Sequence, residues 1–147
     1  MTGRPLRPPE GGEEAPRISS PLAGGDPLDL VALATAICER YAAEYPDERE
    51  RYEDAGIAWC VHDNQHLLNW ATESVNGDLV DIRQEVAWLA TVLESRDFPI
   101  DRLARGLDIA ADVVLDRVDG AGARELAALL TDTAGFVRSG EFREYSI

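Results

Sequence analysis

The stretch "DLVDIRQEVAWLATVLESRDFPIDRLARGLDIAADVV", residues 78–114, decides the fold class. Leu79, Ile82, Val86, Leu89 and Leu93 recur at alternating steps of three and four. That spacing lines up side chains on one face of an α-helix. Phe98-Pro99 interrupts the pattern, because a proline inside a helix removes a donor and clashes with the preceding turn. Ile100, Leu103, Leu107, Ala110 and Val114 then resume it. Two amphipathic helices joined by a short turn need further helices to cover their apolar faces.

The same signals extend outward. Asp119-Gly120 ends the second of these helices, and another is expected over about 121–138, with Leu126, Leu129, Leu130 and Val137 inward. Ser139-Gly140 stops it, leaving residues 141–147, "EFREYSI", as a loosely docked tail. Toward the N-terminus, Asn76-Gly77 is a helix stop and Asp78 a cap for the next helix. Before it lies a helix from about Pro46 to Val75, with Asp47 and Glu48 in its first turn and a bend or break at Gly56. The first helix is expected to start at Asp26-Pro27 and to run to Glu44, with Leu30, Leu33, Ile37 and Tyr41 on one face. No run reads as a strand, and no repeat has a fixed period. The expected fold is all-α: a compact bundle of about five helices, up-and-down or globin-like, forming one domain over 28–140. Residues 1–27, rich in Pro, Gly and Glu, read as a disordered tail.

Composition narrows the function. Among 147 residues, 28 acidic side chains oppose 14 basic ones, all arginine, for a net charge of −14. Phosphate binding needs a basic footprint, so the balance argues against nucleic acid and against anionic membrane surfaces. No apolar run approaches the ~18 residues of a membrane span. The N-terminus lacks the apolar centre of a signal peptide. Arginine without lysine, alongside abundant Ala, Gly and Pro, suggests a GC-rich bacterial genome. The expected location is the cytoplasm, with Cys38 and Cys60 as free thiols.

One helix breaks the apolar pattern: "WCVHDNQHLLNWA", residues 59–71. On a helical projection Trp59, Asp63, His66 and Trp70 form a stripe, flanked by Cys60, Asn64, Leu67 and Ala71. A carboxylate at the centre of an apolar face is costly unless paired, and Arg83, Arg102 and Arg105 are candidates to reach Asp63 from other helices. Three readings compete. Asp63, Asn64 and His66 are a hydrogen-bonded network that fixes helix register. Alternatively, His62 and His66, four apart as in "HExxH", bind a metal with Cys60, Asp63 or distant carboxylates completing the set. Or Trp59, Trp70 and Trp88 wall a small-molecule cleft with Asp63 and His66 as polar anchors. There is no glycine-rich phosphate loop, "GxSxG" or "CxxC", so an enzyme is not expected, and no cofactor is indicated.

The segment over roughly residues 50–118 resembles the helical module found beside cobalamin-binding domains in bacterial regulatory proteins. The resemblance is carried by Cys60, Asp63, Asn64, His66, Leu67 and Trp70, then Gly77-Asp78, then Trp88-Leu89. A turn of the "RG-x-P" type comes next, here "RDFP" without the glycine. The "DxHxxG" motif of the cobalamin-binding half is absent from the sequence, so no histidine is carried over as a cobalt ligand. The resemblance implies a stand-alone sensory or interaction module whose ligand or protein partner is unidentified; taken with the rest of the sequence, the expected module is non-catalytic and homodimeric.

Overall fold

The computed structural model describes residues 15–78 and 80–145. Leu79, most of the expected tail (residues 1–14) and residues 146–147 lie outside the described residues. Five α-helices make up the bundle: α1 (Leu30–Glu44), α2 (Pro46–Val75), α3 (Ile82–Ser95), α4 (Ile100–Arg117) and α5 (Ala121–Ser139). The all-α expectation holds, and α4 and α5 pack against each other most extensively. α1 lies on α2 and α4, while α5 also meets α2 and α3. The core gathers the faces read from the sequence: Leu33 and Ile37 from α1, Ile82, Val86 and Leu89 from α3, Leu103, Leu107 and Val114 from α4, and Leu126, Leu130 and Val137 from α5.

Order begins before the expected helix start. Ser19–Ser20 (β1) pairs antiparallel with Leu28–Asp29 (β2), Ser19 opposite Asp29 and Ser20 opposite Leu28. This takes up the residues after Asp26-Pro27 in extended backbone. The helix therefore starts at Leu30, where the Asp29 side chain accepts from the Ala32 N–H at 3.0 Å. The strap between the two strands packs rather than floats. Leu22 and Leu28 are buried in the core, against the expectation of disorder up to residue 27. At the start of α5 a Cβ on Gly122 would stand 2.8 Å from the Ala23 carbonyl oxygen, so only glycine admits the strap there.

The C-terminal segment is also corrected. Glu141–Glu144 forms a short 3-10 helix, and Phe142 is fully buried. A phenylalanine taken wholly from water contributes about 2–3 kcal/mol, enough to dock a segment this short. Arg143 adds a hydrogen bond from Nε to Glu94 at 3.0 Å, and Tyr145 meets the Phe136 ring edge-on.

Two further boundaries shift. α3 is capped by Asp81, not Asp78: its carboxylate accepts from the Arg83 N–H at 3.0 Å. Between α3 and α4, Asp97 takes a left-handed φ of 59° while the Phe98 N–H returns to the Leu93 carbonyl at 3.0 Å. That turn needs one residue in a conformation glycine adopts most easily, and aspartate is among the few others that tolerate it.

Candidate functional site

The candidate site is built on α2, and the shape of α2 comes first. Pro46 opens the helix with its φ already helical. At Glu53 the backbone leaves the helix, with φ 55° and ψ −146°. The break is thus three residues earlier than the expected Gly56. Gly56 serves the break in another way, since a Cβ there would lie 2.5 Å from Tyr52 Cβ. The chain can fold Tyr52 over the restarting helix only because position 56 has no side chain.

Beyond the break, Cys60 is joined to Cys38 of α1 in a disulfide, with Cα atoms 6.0 Å apart. The expectation of two free thiols is corrected, and the cysteines no longer lend support to the cytoplasmic expectation. Cys60 is thereby also withdrawn from any metal set in this form of the chain. Asn64, one turn on, donates from Nδ2 to the Cys60 carbonyl at 2.9 Å, and the same nitrogen lies 3.5 Å from Cys60 Sγ and 3.7 Å from Cys38 Sγ. Asn64 therefore caps the disulfide.

The disulfide also sets the rotation of α2. With Cys60 turned to α1, the residues on the same line, Leu67 and Ala71, enter the core beside Leu68 and Thr72. Trp59, Asp63, His66 and Trp70 consequently fall at the rim of that face, each partly exposed, and not at its centre as the projection implied. A row of rings runs along this rim. Trp59 meets His62 edge-on at 5.0 Å between centroids, His62 meets His66 edge-on at 4.9 Å, and His66 stacks on Trp70 at 5.7 Å and 26°. His62, which is not among the residues of the projected stripe, is thus a member of the row.

Asp63 lies beside it, its Oδ1 3.1 Å from His62 Nδ1, with a third of its side chain exposed. Burial raises its carboxyl above the usual carboxylate range, opposed by the His62 hydrogen bond and by the charges of His62, His66 and Arg96. The arginines expected to reach it are engaged elsewhere. Arg83 pairs with Asp132, Arg102 with Asp47 and Glu48, and Arg105 with Glu44. Trp88 is 47% exposed on the outer face of α3, so it is not buried as a cleft wall. Among the described residues no group of three His, Cys, Asp or Glu side chains is placed to hold a metal ion. His62 and His66 adjoin each other, their ring centroids 4.9 Å apart.

Two features went unread in the sequence. The first is the cluster at the α1–α2 junction. Arg102 Nη1 donates to Asp47 at 2.9 Å and to Glu48 at 2.7 Å, with its guanidinium 4.3 Å over the Tyr45 ring. Tyr41 donates to Glu48, and Arg105 grips Glu44 through two nitrogens, at 2.7 and 2.9 Å. The Arg105 hydrogen bond holds the Glu44 carboxyl below its usual range; burial and the Glu48 bond push the Tyr41 phenol up. No local pattern marks such long-range pairs among so many acids. The second is a ladder of side-chain amides on α2 that holds the strap. Gln65 Nε2 donates to the Arg17 carbonyl at 3.0 Å, and Ser20 Oγ donates to Asn69 at 3.1 Å. Asn76 donates to the Pro21 carbonyl at 2.8 Å and accepts from the Ala23 N–H at 2.9 Å. Gln65, Asn69, Thr72 and Asn76 recur at four, three and four, a polar stripe that the sequence did carry.

Comparisons with models of protein families, with curated proteins and with solved structures return no match. No helix among the described residues is long and apolar enough to cross a membrane.

Proposed function

We propose that the chain is a non-catalytic regulatory or protein-interaction module that receives its ligand or partner on the rim of α2. The observation that carries this reading is the row Trp59–His62–His66–Trp70, left partly exposed beside the half-buried Asp63. Rings of this kind offer large, rigid contact area with polar edges, the chemistry enriched where proteins meet ligands or each other. The cleft at the α1–α2 junction has a volume of about 50 Å³, far below the ~300 Å³ of ordinary small-molecule sites. A surface row is therefore a better receiver than this cleft. The resemblance to modules beside cobalamin-binding domains supports the same reading, since Asp63, His66 and Trp70 belong both to that pattern and to the rim. A second copy of the chain is included among the partners, through Trp88 on the outer face of α3. The setting we propose is the cytoplasm, where a disulfide is mostly a transient, redox-dependent state.

Native mass spectrometry of the chain purified from its own source tests the reading. The expected result is a bound molecule or partner that is lost on denaturation and lost in Trp59→Ala and His66→Ala, with helical content unchanged. If both variants lower stability but leave every bound species in place, the row is only packing. A metal ion recovered with the chain and lost in His62→Ala would favour the histidine-pair reading instead.

A further inference from the structure

The disulfide-bonded residues Cys38 and Cys60 both line the small cleft at the α1–α2 junction, together with Tyr41, Tyr45, Tyr52 and Ile57. Its volume of about 50 Å³ admits a group of a few heavy atoms, enough for the thiol end of a small molecule whose remainder stays in solvent. We infer that Cys60 is a site of thiol–disulfide exchange with a low-molecular-weight thiol, and that exchange there frees the first turns of α2. This goes beyond the proposed receiver on the α2 rim and does not depend on it.

Three observations carry the inference. Cys38 is only 5% exposed, whereas Cys60 is partly exposed, so an incoming thiolate meets Cys60 first. The Asn64 amide stands within 3.7 Å of both sulfurs, placing an N–H donor where negative charge appears on the departing one. Finally, from Glu39 to Asn64 no residue is buried. The disulfide, the exposed ion pairs of Glu44 and Asp47 and the half-buried Glu48–Arg102 pair hold this stretch, and exposed ion pairs contribute little. Disulfides within reach of solvent are the exchangeable ones.

The step balances without an outside oxidant. A small thiol, as thiolate, forms a new S–S bond to Cys60 Sγ as the Cys38–Cys60 bond breaks. The electron pair leaves on Cys38 Sγ, where Asn64 donates to it until it takes a proton from water. A second thiol then attacks the small-thiol sulfur of the mixed disulfide. That releases Cys60 as a thiol and a low-molecular-weight disulfide, so two thiols are oxidised and one cystine is reduced.

The test equilibrates the folded, full chain in glutathione buffers of graded reduced-to-oxidised ratio, traps free thiols by alkylation and maps them by peptide mass. At intermediate ratios the expected species carries glutathione on Cys60 and the alkyl group on Cys38, with faster amide exchange over residues 46–57. Reduction only after urea unfolding would overturn the inference and leave a structural staple. Glutathione on Cys38, or no Cys38–Cys60 bond at any ratio, would also overturn it. In Asn64→Ala the first exchange step should slow about tenfold, the size of one hydrogen bond to a charged group. An unchanged rate would remove the part given to Asn64.

Discussion

Asp63 is where a single side chain makes the bundle sensitive to pH. Burial raises its folded-state pKa above the value in the unfolded chain, so the folded form holds the proton more tightly. Its favourable contribution is complete below the unfolded carboxylate value and is lost as pH climbs through the folded one. Asp63→Asn keeps the neutral shape at every pH. Its stability relative to wild type should therefore rise with pH across the mildly acidic range, as urea midpoints in a pH series would show; a difference that stays flat would mean the carboxyl is not perturbed. Phe142 is the other residue with a large effect, because nothing around it is solvent. Phe142→Ala should cost about 3–5 kcal/mol by chemical denaturation, far more than a loosely docked tail would lose. The sequence marked Asp63 by its place among apolar residues. It could not mark Phe142, whose segment has no helical period to read.

At the scale of elements, the helices were legible because each has an uninterrupted apolar period, as Ile100, Leu103, Leu107, Ala110 and Val114 show for α4. The rotation of α2 was not legible, because it depends on a bond from Cys60 to a residue 22 positions away. Without that bond the tryptophans and Asp63 look central; with it they are at the edge. The breaks between elements make sharper predictions. Glu53 occupies a φ/ψ region that is essentially reserved for glycine. Glu53→Gly should stabilise the chain by about 1 kcal/mol, the reverse of the usual effect of glycine in a helix. Asp97→Gly should do the same at the α3–α4 turn by about 0.5–1 kcal/mol. Thermal midpoints of the two variants and of their combination check this; the sites are on separate turns and should add.

For the whole molecule, the disulfide and the net charge oppose each other. Cross-linking residues 22 apart stabilises a chain by about 3 kcal/mol in the loop-entropy account, so Cys38→Ser with Cys60→Ser should lower the urea midpoint by that equivalent while leaving a helical bundle. A net charge of −14 repels itself. Added salt should thus raise the thermal midpoint of the oxidised chain. In the doubly substituted chain the gain should be smaller, since salt also weakens the Arg102 pairs with Asp47 and Glu48, on which the first turns of α2 then depend more heavily. Calorimetry at low and high salt on both proteins separates these effects.

The strap and the disulfide also decide how α1 can move. The amides of Gln65, Asn69 and Asn76 clamp the chain leading into its first turn, and Cys38 clamps its far half to α2. A helix pinned near both ends has no free end from which to fray. Deuterium should therefore enter the backbone of α1 up to Cys38 only through openings close to global unfolding, while the first turns of α2 exchange through local ones. Neighbouring segments would then report two different free energies from one experiment.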